Sequence, residues 1–330
     1  MFGIVKAVCV SELRGVPKHN VSGARFIAGR GIEGDAHAGD WHRQVSLLSY
    51  DKILRFNDLG AGVSHGDFGE NLVVEGLDFR SLPVGALLRC GTALLEITQI
   101  GKECHTHCHI YKKMGDCIMP REGCFARVLC SGVISEGDRI ETEAQADKRF
   151  RAAAVTLSDK ASRGERADGS GPLIKSMLEE AGYLFTELIT LPDERTLIEN
   201  ALIDLSDRRQ VDLIVTTGGT GFSRRDVTPE ATAAVADRMA PGVAEAIRAY
   251  SMGITGRAML SRGVSAIRGG TLIVNLPGSP KAVKESLAYV LPHLAHGLEM
   301  LRGSAEPGFA AECASDPGDP CDLGGAGKEA

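Results

Sequence analysis

The chain of 330 residues lacks several features that would point to particular protein classes. No window approaches the roughly 18 consecutive apolar residues of a membrane span, and the first residues lack the apolar core and cleavage site of a secretory signal. There is no Lys/Arg run and no basic stretch interleaved with aromatics, and the formal net charge is −6. We therefore expect a cytoplasmic protein whose partners include neither membranes nor nucleic acids.

A disulfide scaffold is also not indicated. The chain has nine cysteines, an odd number, and five of them lie within residues 104–130. Reduced thiols around a cysteine-centred site explain this distribution better than a set of disulfides.

The pattern of the sequence changes near residue 145. Residues 1–142 contain short β-like segments between turn residues and predict a mostly-β domain, a curved sheet or barrel. Residues 143–151 are charged, carry no apolar pattern and predict a linker. Residues 152–303 alternate apolar strands with helices, which predicts an α/β domain with a mainly parallel sheet covered by helices on both faces. Residues 304–330 have little apolar content and predict a disordered tail.

The element predictions in the second half are specific. Strands are expected at Ala152–Leu157, Leu184–Leu191, Asp212–Thr217 and Thr271–Leu276. Helices are expected at Pro172–Ala181, Glu194–Leu205, Pro229–Met239 and Pro280–Leu301, the last as one helix or a pair.

The strand at residues 212–217 runs into a glycine-rich loop. Gly218, Gly219 and Gly221, with Thr220 among them, would let backbone N–H groups approach a ligand closely. An ordinary tight turn would explain the glycines equally well. Asp226 favours a site, because with Arg224 and Arg225 it would place a carboxylate and two cations at one mouth, as a metal-bridged phosphate requires. Thr228 is expected to cap the following helix.

Three further loops follow strands or precede helices of the same predicted sheet. They contain Ser158 and Asp159, Asp193, and Gly278 with Ser279. Capping of the next helix would by itself explain Asp193. Because the carboxyl ends of parallel strands share one edge, the four loops together predict a site for a nucleotide or another phosphorylated ligand.

These motifs carry a family resemblance. The segments TLSD, LPDE, TTGGTGFSRRDVTPEAT, MLSRG and NLPGSP, in this order, resemble the MogA/MoaB family over residues 152–303. The resemblance implies transfer of AMP from ATP to the terminal phosphate of molybdopterin, with Mg²⁺, in a homotrimer. It implies catalytic roles for Asp193 and Asp226, with Asp226 also at the metal. The substrate-binding residues that it implies are Ser158, Asp159, Gly218, Gly219, Thr220, Gly221, Ser261, Gly278 and Ser279.

The sequence CHTHCH at residues 104–109 is the densest chemical stretch of the first half. A zinc site is one interpretation, although the spacing is unlike that of common zinc fingers. An exposed thiolate that binds molybdenum or carries sulfur is the other. Burial as small core residues is a simpler role for Cys117, Cys124 and Cys130.

The first half resembles a MOSC domain, a mostly-β module that binds the mature molybdenum cofactor or handles its sulfur. The resemblance rests on GDAHAG, HRQVSL, FGENL, the cysteine segment and the closing glycines. Cys104 falls where the family's cysteine lies, with Cys108 as the alternative. His37, His42 and Arg43 are implied as contacts of the cofactor; a turn contact for His37 and a surface ion pair for Arg43 are the simpler alternatives.

The leading hypothesis is a fusion of two modules that act on the same pterin, working with other proteins of cofactor synthesis. A non-catalytic carrier of molybdopterin or the cofactor is a second hypothesis. A nucleotide hydrolase on the same sheet is a third.

Overall fold

The computed structural model describes residues 1–102, 109–143 and 147–303. The first half of this described chain is built mainly from strands. They are β1 Phe2–Val10, β2 His19–Asn20, β3 Gly23–Ile27, β4 Gly31–Ile32, β5 Val45–Ser49, β6 Leu72–Glu75, β7 Leu87–Cys90, β8 Ala93–Ile100, β9 Cys124–Cys130, β10 Gly132–Ser135 and β11 Arg139–Glu143. The α-helices are α1 Tyr50–Asp58, α2 His109–Met114 and α3 Met119–Glu122.

A closed barrel forms because β1 pairs with two neighbours. It pairs antiparallel with β6 on one side and β11 on the other, which joins the ends of the row β11-β7-β8-β9-β5-β6-β1. Within the described residues the barrel therefore has seven strands, and β3, β4 and β10 form a small sheet beside it. The predicted mostly-β barrel is confirmed.

An irregularity in β1 sets which side chains fill the barrel. The pairing with β6 shifts between Val5 and Ala7, so one extra residue bulges out of the ladder. As a result Val5 and Val8 lie in the same core inside the barrel. Ala7 and Cys9 join a second core outside it, under α1.

The second half is a layered α/β structure. Its strands are β12 Arg151–Leu157, β13 Leu184–Leu191, β14 Leu213–Thr217, β15 Arg238–Met239, β16 Ser265–Arg268 and β17 Thr271–Leu276. Its α-helices are α4 Asp159–Ser162, α5 Gly171–Glu180, α6 Arg195–Ile203, α7 Thr228–Val235, α8 Pro241–Met252 and α9 Pro280–Leu301. The strand order is β13-β12-β14-β17-β16-β15; the first four are parallel, and β16 and β15 add antiparallel.

Helices cover both faces of this sheet, as predicted. Ala152 and Ala154 of β12 point into a core formed with α5, α8 and α9. The alternate residues Ala153 and Val155 point into a core formed with α6 and α7. Burial on both faces explains the continuous apolar strands in the sequence.

One helix prediction was wrong at its end. The helix expected at Pro229–Met239 stops at Val235, and Arg238–Met239 forms an edge strand against β16. The guanidinium of Arg268 donates to the carbonyl of Val235 at 2.8 Å, so a contact distant in sequence caps the helix. The prediction Pro280–Leu301 is a single helix, with Pro292 inside it.

The two halves contact each other through a segment after α6. Asp204–Arg208 continues α6 as a π-helix, and Gln210 follows in a left-handed conformation with a φ of 47°. The side-chain oxygen of Gln210 accepts a hydrogen bond from the amide of Val84 at 3.0 Å. None of the described helices is long and apolar enough to cross a membrane.

Candidate functional site

The four predicted loops meet at one edge of the parallel sheet. They surround a cavity of about 610 Å³ at the carboxyl ends of the strands. The residues predicted from sequence that line it are Ser158, Asp193, Gly218, Gly219, Asp226, Gly278 and Ser279. Loops that are far apart in sequence thus form one site, as the topology of a parallel sheet requires.

Two aspartates join the first two loops by a reciprocal pair of hydrogen bonds. The amide of Asp159 donates to the Asp193 carboxylate at 3.2 Å, and the amide of Asp193 donates to the Asp159 carboxylate at 3.1 Å. The expected capping role of Asp193 was wrong. Helix α6 begins at Arg195, Glu194 occupies the cap position, and no side chain caps it.

The two carboxylates have different electrostatic surroundings. Arg225 donates to both oxygens of Asp159, which lowers the pKa of that carboxyl, and it also pairs with Glu194. Burial raises the pKa of Asp193, and the nearby charges of Asp159 and Asp226 add to this. Arg225 therefore compensates the charge of Asp159, while Asp193 lies near two other carboxylates, those of Asp159 and Asp226.

The glycine loop needs its glycines for space as well as conformation. Gly218 and Gly219 have φ values of 98° and 61°. A Cβ on Gly219 would lie 2.4 Å from the Thr228 hydroxyl and 3.0 Å from the Asp193 carboxylate. A side chain here would displace the Thr228 hydroxyl and crowd the Asp193 carboxylate, so this position needs glycine for space as well as for its positive φ.

Thr228 and Arg262 hold this loop in place. The Thr228 hydroxyl donates to the carbonyl of Gly218 at 2.9 Å. The predicted capping of helix α7 by Thr228 is wrong, because Val227 occupies the cap position. Arg262 donates to the carbonyls of Gly221 and Asp226 at 2.6 and 2.5 Å. The loop that carries Asp226 is therefore fixed at both ends.

The third side of the cavity is the start of α9. Ser279 caps this helix by accepting from the amide of Ala282, and Gly278 lies against Gly218. The helix has 22 residues, so its N-terminal amides and dipole favour a negatively charged group.

The residues present fit a magnesium ion that is bound together with a nucleotide. Asp193 and Asp226 both line the cavity. Burial is the main cause that raises the pKa of Asp193, and the charges of Asp159 and then Asp226 add to it. In the part of the chain that the structure describes, no group of three or more His, Cys, Asp or Glu side chains forms a closed metal site. Mg²⁺ commonly uses one or two carboxylates together with substrate phosphates, so two aspartates suffice.

A second cavity of about 760 Å³ lies in the first half. Of the three residues predicted to contact the cofactor, His37 and Arg43 line this cavity and His42 does not. Arg43 is half-buried with its guanidinium 5.1 Å from the ring centre of Trp41 and 5.7 Å from that of Phe125. Its Nε is buried without a hydrogen-bond partner among the described residues, so a surface ion pair does not account for it.

His37 and His42 differ in their contacts. The backbone amide of His37 donates to the buried Asp35 carboxylate at 2.9 Å. The imidazole ring of His37 stacks with the indole ring of Trp41. His42 lies 3.0 Å from the side-chain oxygen of Gln99, and burial lowers its pKa to about 4, with the charge of Arg209 as the next cause. His42 is therefore neutral at physiological pH.

The comparisons with known proteins agree with this geometry. The family described as a probable molybdopterin binding domain matches residues 153–296, and the MOSC domain family matches residues 34–141. The molybdopterin adenylyltransferase of Helicobacter pylori strain J99 is 43% identical over 154 residues, which cover 46% of this chain and 86% of the relative. That of Escherichia coli K12 is 47% identical over 140 residues, which cover 42% of this chain and 72% of the relative.

The chain belongs to the molybdopterin adenylyltransferase family. Both resemblances stated from the sequence are confirmed by these matches, the MOSC domain for the first half and the MogA/MoaB family for the second. Among solved structures, the molybdopterin biosynthesis enzyme MoaB from Thermus thermophilus is 46% identical, with a TM-score of 0.45. The alignment covers 47% of this chain and 97% of that one.

Some predicted site residues do not line the second-half cavity. Asp159 contacts the cavity residue Asp193 by the two hydrogen bonds described above. Thr220 and Gly221 lie further along the loop; a Cβ on Gly221 would come within 2.8 Å of the Asp226 carboxylate, so this glycine makes room for Asp226. The Ser261 hydroxyl accepts from the amide of Gly263, next to Arg262.

Other predictions concern residues outside the described ranges or were inaccurate. Cys104, Cys108 and most of the zinc alternative lie outside the described residues. Cys117 and Cys124 are buried, but Cys130, which was expected to be buried with them, is exposed at the end of β9.

Sequence reasoning missed Asp168, Arg166 and Arg262. Asp168 accepts from the amides of Ser170 and Gly171, which start α5 at the cavity wall, and Arg166 donates to the Ser158 hydroxyl. The pattern Asp-Gly-Ser-Gly-Pro before a helix was a usable capping signal for Asp168. Arg262 had no such signal, because its contacts lie about 40 residues earlier in the chain.

Proposed function

We propose that the second half transfers AMP from ATP to the terminal phosphate of molybdopterin. The observation that carries the proposal is the meeting of the glycine loop, the start of α9 and the aspartates Asp193 and Asp226 in one cavity. Backbone amides and a helix N-terminus suit phosphates, while paired carboxylates suit the metal that accompanies a nucleotide. The family membership of this half supports the same reaction.

In the proposed reaction, an oxygen of the pterin's terminal phosphate attacks the α-phosphorus of ATP in line with the leaving group. The new phosphorus–oxygen bond forms as the bond to the bridging oxygen breaks, and pyrophosphate leaves with the electron pair. Gly218, Gly219 and the start of α9 would hold phosphate oxygens, and Asp193 and Asp226 would hold Mg²⁺. When bound, Mg²⁺ neutralises charge on the nucleotide phosphates. The chain's own contribution is positioning rather than covalent catalysis.

For the first half, we propose binding of the mature cofactor or handling of its sulfur. The aromatic and cationic wall around Arg43 and the match to the MOSC family support this role. Cys104 is the proposed thiol. Cys104→Ser should abolish binding of the cofactor or a persulfide and Cys108→Ser should not; the opposite result would assign the role to Cys108.

The test is turnover by the purified full chain. Incubation with molybdopterin, ATP and Mg²⁺ should release pyrophosphate and form adenylylated pterin, and chelation of the metal should stop both. Tight binding of the pterin without any ATP consumption would make the protein a carrier. Hydrolysis of ATP in the absence of pterin would make it a nucleotide hydrolase.

Oligomeric state and location belong to the same proposal. We propose a homotrimer in the cytoplasm that works with other proteins of molybdenum-cofactor synthesis. Light scattering of the full chain tests the trimer directly.

A further inference from the structure

The cavity of the first half is not formed by the first half alone. Its wall includes Arg208, which belongs to the π-helix Asp204–Arg208 of the second half. Every other described residue that lines this cavity lies between positions 15 and 125. A single arginine therefore reaches this wall from the other half of the chain.

The position of Arg208 is fixed by contacts on both sides of it. Its guanidinium pairs with Asp204 one turn earlier, at 3.0 Å. Two residues later, Gln210 accepts from the amide of Val84 on the barrel. Arg209, between them, has a side chain that is 5% exposed and donates to Glu187 at 2.7 Å.

A second contact keeps the two halves in register nearby. Arg151, the first residue of β12, lies 3.6 Å from the carboxylate of Glu96 on the barrel, and both side chains are almost fully buried. Arg127 pairs with the same carboxylate at 2.6 Å. These contacts fix the segment that carries Arg208 against the barrel, so Arg208 is a structural part of the cavity wall.

The wall has the chemistry of a site for an anion with a planar ring. Its cations include Arg43, Lys102, Arg121 and Arg208. Among the described residues its carboxylates are Asp67 and Asp116, and Asp116 is already paired with both terminal guanidinium nitrogens of Arg121. The volume of about 760 Å³ is in the range of small-molecule sites.

Aromatic side chains supply the other part of this chemistry, the part that suits a planar ring. Trp41, Phe68 and Phe125 line the same cavity. Flat apolar rings beside guanidinium groups favour a ligand with a delocalised ring, and arginine forks favour its phosphate.

We propose that Arg208 binds the phosphate of a phosphorylated planar heterocycle held in the first-half cavity, so that the two halves form this site together. The inference rests on the proposed function in one respect, because the ligand assigned to this cavity is the pterin of the proposed reaction. Arg208 then makes the affinity of the first-half site depend on the second half.

The chain provides a reporter for this site. Trp41 is its only tryptophan and lies in the cavity wall, whereas the residues that line the second-half cavity include none. Titration of the full chain with molybdopterin, without oxygen and without ATP, should change Trp41 fluorescence and give a dissociation constant. Arg208→Gln should weaken that binding about tenfold, as expected for loss of one charge-assisted hydrogen bond. Arg208→Lys, which keeps the charge but loses the fork, should give an intermediate value.

Asp204→Asn is the matched control. It breaks the same ion pair but leaves the cation in the wall, so its dissociation constant should stay within about twofold of the wild type. Thermal unfolding of each variant reports whether the segment still folds. Equal weakening by Arg208→Gln and Asp204→Asn, or no weakening by Arg208→Gln, would overturn the proposal.

Failure of this inference is distinguishable from failure of the proposed function. If pyrophosphate release proceeds but molybdopterin never changes Trp41 fluorescence, the reaction of the second half stands and the two-half site is wrong. If Trp41 responds and Arg208 matters while no pyrophosphate forms, the site stands and the adenylylation proposal is wrong.

Discussion

Asp159 and Asp193 each donate a backbone amide to the other's carboxylate, at 3.2 and 3.1 Å. The two residues follow β12 and β13, which are adjacent parallel strands. Their pairing fixes the two loops relative to each other. The cation that compensates the charge of Asp159 is Arg225. Asp193 is then held in the cavity wall beside Asp226. The reciprocal pair therefore fixes the position of the loop that carries Asp193 into the cavity wall.

The first prediction concerns Asp226. Asp226→Asn should lower the rate of pyrophosphate release by about 100-fold, a typical effect of removing one preorganised electrostatic group. The change in thermal stability should be small, because the residue lies in a loop and its carboxylate accepts an exposed hydrogen bond from the amide of Ser223. Asp237→Asn is the control, since Asp237 also accepts one backbone amide in a loop, that of Gly269, but lies outside the cavity. Equal rates for the two variants would remove Asp226 from the mechanism.

The second prediction separates backbone strain from loss of space in the glycine loop. Gly219→Ala and Gly269→Ala both place alanine at a positive φ, 61° and 54°, and this conformation alone should cost each variant about 1–2 kcal/mol of stability. A Cβ at Gly269 meets nothing within 4 Å, whereas one at Gly219 meets Thr228 and Asp193. Turnover should therefore fall sharply in Gly219→Ala and stay near wild type in Gly269→Ala. Similar turnover in both variants would mean that the close approach at Gly219 has no role.

The sequence was informative wherever a local pattern decides the structure. The segments Ala152–Leu157 and Asp212–Thr217 predicted buried parallel strands, because a strand covered on both faces is rich in apolar residues on both sides. The glycines together with Asp226 predicted a loop that forms a site, and the sheet topology brings that loop to Asp193. These local patterns were enough to locate the second-half cavity.

The remaining features depend on contacts between distant segments. Arg262 holds the loop of Gly221 from about 40 residues away, Arg268 ends α7, and Arg208 reaches the other half of the chain. No periodicity or spacing encodes such contacts. The same reason explains the capping roles wrongly expected for Asp193 and Thr228: each side chain bonds across the site and not to its own helix.

The third prediction concerns the buried ion pair beside His37. The ammonium of Lys18 lies 2.5 Å from the Asp35 carboxylate, and the two side chains are 1% and 0% exposed. Asp35 also accepts from the amides of Ser11 and His37. Lys18→Met should lower the free energy of unfolding of the barrel by about 3 kcal/mol, because it leaves a buried carboxylate without its counter-charge.

A double-mutant cycle checks this prediction. Asp35→Asn and the double variant Lys18→Met/Asp35→Asn complete the cycle, with barrel unfolding in urea followed by Trp41 fluorescence. The double variant should be more stable than the sum of the two single losses implies. Strictly additive losses would show that Lys18 and Asp35 do not stabilise each other.

The last prediction concerns Glu70, which is fully buried and accepts from the amides of Gly66 and Phe68. Burial raises its pKa from 4.5 to about 7, despite those two amides. Between pH 4.5 and 7 the folded state therefore binds more protons than the unfolded state, so the free energy of unfolding falls as the pH rises through this window. The loss of stability from this group is about 3 kcal/mol by pH 8.

Urea unfolding at pH 5 and pH 8, followed by Trp41 fluorescence, should show this fall in the wild type. It should be absent or much smaller in Glu70→Gln, which cannot ionise, and it should persist in Glu75→Gln, where the carboxylate is exposed and pairs with Lys6. An unchanged pH dependence in Glu70→Gln would show that Glu70 titrates as an ordinary carboxyl.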